Sequence, residues 1–215
     1  MNADKAAAEL KVIRELMERP VRYSTMSGLS GILAGCAALA GCAADWIISQ
    51  RFVPEEAFWL NMAVWGCVFV SAFAASTILT RIRERKRGMP FWSNIKKRIL
   101  RTILPPFLAG AGLTLAIAFR WYYRIGPNMW GLIPSIWMLL YGVACWQVGE
   151  FSVVEMRVMG AAFIASGLIV VSLIPANLII AAEGCLDLEP YWTIGITFGG
   201  FHIAYGIVVW VRHGG

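Results

Sequence analysis

Residues 81–101, RIRERKRGMPFWSNIKKRILR, carry nine of the chain's nineteen Lys and Arg residues. An apolar run lies on each side, at about 57–82 and 103–121. Two runs long enough to cross hydrocarbon, joined by a cationic segment, predict a helical hairpin whose turn stays with the anionic inner leaflet. Phe91, Trp92, Ile95, Ile99 and Leu100 interleave with the later cations, as in an interfacial helix on anionic lipid. Each cation there contributes about 1 kcal/mol near the surface. Arg85, Lys86, Arg87, Lys96, Lys97 and Arg98 are the candidates for holding lipid headgroups, unless the charge serves topology alone. Nucleic acid is not expected as a partner, because nothing else in the chain reads as a recognition element.

Outward from this hairpin, apolar runs at about 24–48, 130–148, 158–174 and 192–211 bring the number of spans to six. Six spans put sixteen of the nineteen cations on one side and leave Arg51, Arg120 and Arg124 on the other. Five or seven spans scatter them. The expected fold is therefore all-α: a polytopic transmembrane helical bundle in an inner membrane, with both termini cytoplasmic. Composition agrees, with 59% hydrophobic and 15% charged residues against about 25% charge in soluble domains. The first twenty residues lack an apolar core of the kind a cleaved signal needs, so the first span is expected to act as an uncleaved anchor.

Residues 1–22 form a separate cytoplasmic segment. Leu10, Val12, Ile13, Leu16 and Met17 oppose Lys11, Arg14, Glu15 and Glu18, which predicts an amphipathic helix ended by Pro20. Residues 23–215 form the six-helix domain, with 81–101 as its basic loop. ANLIIAA at 176–182 is too short to span and reads as a helix extension, a re-entrant piece or an interfacial piece.

The first span is rich in small residues. Gly28, Gly31 and Gly35, the last two a GxxxG pair, predict close helix packing, in a homo-oligomer or against a partner membrane subunit. LLYGVACW (139–146) and IAYGIVVW (203–210) share a Tyr-Gly-x3-Trp pattern. Trp59, Trp130 and Trp192 sit near the outer ends of the even spans, and Gly-Leu pairs recur at Gly28, Gly112 and Gly167. Together they suggest three hairpin repeats in one orientation. Five cysteines form no CxxC pair, and those within the apolar runs read as small hydrophobes.

The opening RELMERPVRYSTMSGLSGILAGCAALAG (14–41) and the C-terminal set Phe198, Gly199, His202, Ile203, Tyr205 and Gly206 resemble a family of bacterial six-span inner-membrane proteins of no established activity. The resemblance implies the same fold and topology and brings no catalytic residues. The winged-helix regulators that such genes neighbour point to a regulatory role.

No Ser-His-Asp set, HExxH motif, phosphate-cradling glycine loop or carboxylate dyad is present, and no catalytic or metal site is expected. His202, the only histidine inside a span, is either a haem or pigment ligand or a histidine bonded between helices. His213 is eleven residues along the same helix, about 16 Å away, so the two cannot grip one haem. Asp45 lies at the outer end of span one, where Arg120 or Arg124 could pair with it. Glu150, Glu155 and Arg157 form a charged inner turn.

The first functional reading is a non-enzymatic sensing, regulatory or assembly module, which predicts a solid bundle without a continuous cavity. The alternative is a small-molecule or ion transporter or channel, with a pocket among spans one, four and six lined by Trp137, Tyr141, His202 and Tyr205. The central thirds of the spans lack Asp, Glu, Lys and Arg, which weakens that alternative. Pro134 and Gly199-Gly200 leave room for distorted helices that would restore it.

Overall fold

The computed structural model describes residues 27–86, 88, 93–125, 131–173 and 190–213. The expectations for 1–22, 176–182, Arg87, Phe91, Trp92, Trp130 and Cys185 lie outside the described residues. Five long helices precede the last span: α1 (Gly28–Arg51), α2 (Pro54–Lys86), α3 (Asn94–Tyr122), α4 (Leu132–Gly149) and α5 (Val154–Leu173). The sixth span is composite. It comprises α6 (Pro190–Ile194), a π-helical segment π1 (Gly195–Phe201) and α7 (His202–His213). Six helices are long and apolar enough to cross a membrane, and no strand occurs among the described residues. The chain is a multi-pass membrane protein with an all-α helical bundle. Helices suit lipid because each satisfies its own backbone hydrogen bonds.

The basic loop is shorter than expected. Residues 81–86 continue α2, and 94–101 are the first turns of α3. The Ser93 hydroxyl caps α3 by accepting from the Lys96 backbone N–H at 3.2 Å. Pro105 and Pro106 therefore sit well inside a helix rather than at its start. Long basic side chains let a helix continue beyond hydrocarbon while their charged heads stay in water.

The spans touch in chain order. α1 packs on α2 and on the sixth span, α4 packs on α3 and α5, and α5 meets the sixth span. α2 and α3 meet through side chains: Phe58 stacks on Trp121 at 4.5 Å, Phe69 meets Phe107 at 5.7 Å, and Glu84 pairs with Lys96. The circuit of contacts thereby closes into a ring. The apolar core lies to one side of it, where Met138, Cys145, Met159 and Phe163 of α4 and α5 meet Tyr205 and Val209 of α7.

Two seams of the ring repeat each other. A Cβ on Gly28 would lie 2.5 Å from the Gly206 carbonyl oxygen and 2.6 Å from the Trp210 nitrogen. A Cβ on Gly160 would lie 2.8 Å from the Gly142 carbonyl oxygen and 2.5 Å from the Trp146 nitrogen. The two Tyr-Gly-x3-Trp motifs thus do the same work, seating α7 on α1 and α4 on α5. The structural register pairs Gly28 with Gly160 and Gly35 with Gly167, so the recurrence of Gly-Leu pairs was a false guide. Gly28, Gly31 and Gly35 all face the sixth span: the small-residue stripe is used within the chain.

Candidate functional site

At one end of the bundle the charged groups converge. Glu84 is 1% exposed and ion-pairs with Lys96 of α3 and with Arg81 one turn before it, at 3.8 Å. Glu155 accepts from Arg212 at 3.1 Å, Glu150 pairs with Arg157 at 2.8 Å, and the Arg83 guanidinium reaches the His213 carbonyl at 3.3 Å. Arg98 lies 4.6 Å over the Phe151 ring. The end of α2, the start of α3, the α4–α5 turn and the end of α7 therefore share one face. Of the cations expected to meet lipid, Arg85, Lys86, Lys97 and Arg98 are exposed. Lys96 differs: it turns inward, because a buried carboxylate requires a partner.

Inside the ring lies a cavity of about 820 Å³, lined by residues of all six spans. It is larger in its reach than a pocket among spans one, four and six. Lys96 and Arg81 border one end, and Asp45, Ser49 and Asn61 border the other. Between Ser30 and Ser49, both cavity residues of α1, the helix rises about 28 Å, so the cavity follows most of a span.

Trp137, Tyr141, His202 and Tyr205 all line it. The His202 Nδ1 lies 2.8 Å from the Phe198 carbonyl oxygen, which can only accept, so Nδ1 carries the proton. Nε2 is then free to accept from the Tyr141 hydroxyl at 2.7 Å. The winding of the sixth span makes this geometry available. The His202 backbone N–H bonds the Gly199 carbonyl, while its side chain reaches the Phe198 carbonyl. Thr197 similarly donates to the Thr193 carbonyl at 2.7 Å. The distortion expected from Gly199-Gly200 is thus a π segment at the cavity wall. Pro134, by contrast, falls in the first turn of α4 and leaves that helix regular.

His202 has both ring nitrogens engaged, which fits the histidine bonded between helices and leaves neither nitrogen open to a haem iron. Tyr141 is also held by Phe163 at 4.9 Å and Phe198 at 5.4 Å. Trp137 donates to the Thr114 hydroxyl of α3 at 3.0 Å and lies over Gly110, where a Cβ would sit 3.2 Å from its ring. Aromatic side chains with fixed polar tips make the middle of the cavity rigid and mostly apolar.

At the far end the Asp45 carboxylate, 9% exposed, accepts hydrogen bonds from the side chains of Trp65 and Asn61 on α2. Its partners therefore come from α2, where the sequence had suggested Arg120 or Arg124. The Asn61 Oδ1 is buried without a hydrogen-bond partner. Asn61 is a lone amide in an apolar run, and that isolation was the signal the sequence offered. Glu84 gave none, hidden among cations that made it read as surface. Among the described residues no cluster of three or more His, Cys, Asp or Glu could hold a metal ion. No family model, curated protein or solved structure matches the chain, so the functional reading rests on this geometry.

Proposed function

We propose that the protein binds an amphipathic small molecule in the ring cavity and carries it across the bacterial inner membrane, with both chain ends and the basic face in the cytoplasm. The observation that carries this reading is the cavity itself: about 820 Å³, bordered by every span and walled at its middle by the Tyr141–His202 pair. Its volume lies within the range of small-molecule sites, which are mostly apolar with a few fixed polar groups. A sensing or assembly module working through helix packing alone has no use for such a space. The π segment supports the transport reading too, since wide turns of this kind are frequent at functional sites. The distribution of cations supports the orientation.

Proteoliposomes loaded with a panel of fluorescent amphiphiles test the proposal. Ala72 borders the cavity on α2 and belongs to neither glycine seam. Ala72→Trp fills the space and is expected to lower flux at least tenfold, whereas Ala72→Ser leaves it unchanged. Equal flux in empty and protein-loaded vesicles, together with no reaction of Asn61→Cys or Ser76→Cys with impermeant thiol reagents, would overturn it. Labelling of Lys97→Cys from the periplasm would overturn the orientation.

A further inference from the structure

The two ends of the cavity are chemically unequal. At the basic end, each charge already faces an opposite one: Glu84 is shared by Lys96 and Arg81. At the other end, the charge is a carboxylate whose side-chain donors among the described residues, Trp65 and Asn61, are neutral. An ionised carboxylate offers about four acceptor positions. The amide NH2 of Asn61 is committed to Asp45, so its Oδ1 is the atom left over, buried and unpartnered. A buried acceptor without a donor is destabilising. The Asp45 carboxylate, beside an apolar aromatic chamber and with acceptor positions to spare, therefore suits a group that is both a donor and positive.

We infer that Asp45 and Asn61 form the recognition site for an organic ammonium, whose apolar body lies along the aromatic wall towards Tyr141. This rests on the small-molecule reading above and names the substrate class for the same cavity. An alkyl- or arylammonium supplies a charge-assisted bond to the Asp45 carboxylate, and a turn of the Asn61 amide would bring its Oδ1 to the same group. Its hydrocarbon portion matches Phe69, Phe107 and Trp137, which border the chamber. A divalent metal fits poorly, since hard cations take six or more oxygen ligands, several of them anionic. The paired cations at the opposite end disfavour a positive group there, which fixes the orientation of the ligand.

Three probes of the same shape separate charge from apolar fit: 2-naphthylethylammonium, the neutral 2-naphthylethanol and the anionic 2-naphthylacetate. Binding to the purified full-length protein is measured by equilibrium dialysis. The ammonium is expected to bind at least about tenfold tighter than the alcohol, the effect of one hydrogen bond to a charged group. Asp45→Asn should collapse that preference while leaving the alcohol's affinity unchanged. Asn61→Asp, with a second carboxylate, should widen the preference, and it decides the matter if Asp45→Asn does not fold. Equal binding of all three probes, unaffected by either variant, overturns the ammonium site and leaves the cavity reading standing. Binding of none of them, in detergent or nanodiscs, removes the cavity reading itself. Displacement of the ammonium by millimolar sodium, dependent on Asp45, assigns the site to an inorganic cation and overturns the inference.

Discussion

The seams α1–α7 and α4–α5 and the seam α2–α3 occupy corresponding places in the ring but are built differently. In the first two, glycines bring backbones into contact: Gly28 on Gly206, and Gly160 on Gly142. In the third, Gly66 and Gly112 have nothing within 4 Å of a built Cβ, and only side chains bridge the gap. Lipid gives helices no hydrophobic reason to associate, so close backbone packing and polar bonds must hold them. The glycine seams therefore make a close-packed frame, and α2–α3, bridged by side chains, makes the more loosely joined wall that faces the cavity. On the proposed transport reading, α2–α3 is the part that would yield, and the site lies where it meets the frame, between Asp45 of α1 and Asn61 of α2.

The largest effect should come from the frame. Gly206→Leu or Gly142→Leu forces a side chain into backbone that has no room to shift, and should cost about 3 kcal/mol or more. Thermal melting in detergent should show those variants unfolded, while Gly112→Leu melts like the parent. Equal sensitivity at all three positions would erase the contrast.

Next comes the clasp on the wall. Glu84→Gln leaves Lys96 and Arg81 facing a neutral amide. Losing a buried pair costs about 3–5 kcal/mol, and because Lys96 and Arg81 keep partial access to water a loss of about 2 kcal/mol is expected. Limited proteolysis near residue 88 should accelerate in that variant. A Glu84→Cys/Lys96→Cys crosslink should stop flux without lowering melting temperature.

At the other end of the same wall, Phe58→Ala removes the stack on Trp121, worth about 1 kcal/mol. It should raise thiol reactivity at Asn61→Cys more than it lowers stability. Smallest is Trp137→Phe, which loses the bond to Thr114. Interhelical bonds of this type average about 0.6 kcal/mol, so its melting curve should barely move, sharpening the view that α3 is loosely held.

Much of the fold was legible because hydrocarbon imposes few solutions: apolar runs of sufficient length must be helices, and the cations mark where the apolar runs stop, though α2 and α3 continue through them. The glycine stripe of span one was visible for the same reason, since small residues are how helices approach in lipid. Its partner was not, because pairing depends on which span lies beside it in the ring. Trp137, Tyr141, His202 and Tyr205 stood out as aromatic or ionisable groups on two even spans. The rest of the cavity did not, because Asn61, Trp65 and Phe107 gain meaning only once α2 and α3 each turn a face to the space inside the ring. Glu84 escaped notice because its burial comes from α3 folding back over it, and ERK within a basic run gives no hint of that.

The π segment Gly195–Phe201 has one more consequence. A wide turn stores the equivalent of an inserted residue, and Gly200, with open space around it, is the position where that residue can be removed. Winding the same residues as plain α-helix without that removal would instead swing everything after them by about 100°. His202 would leave Tyr141, and Gly206 would rotate off α1, in a single step. One residue in the count of the last span thus sets both the chemistry of the chamber and the closure of its frame.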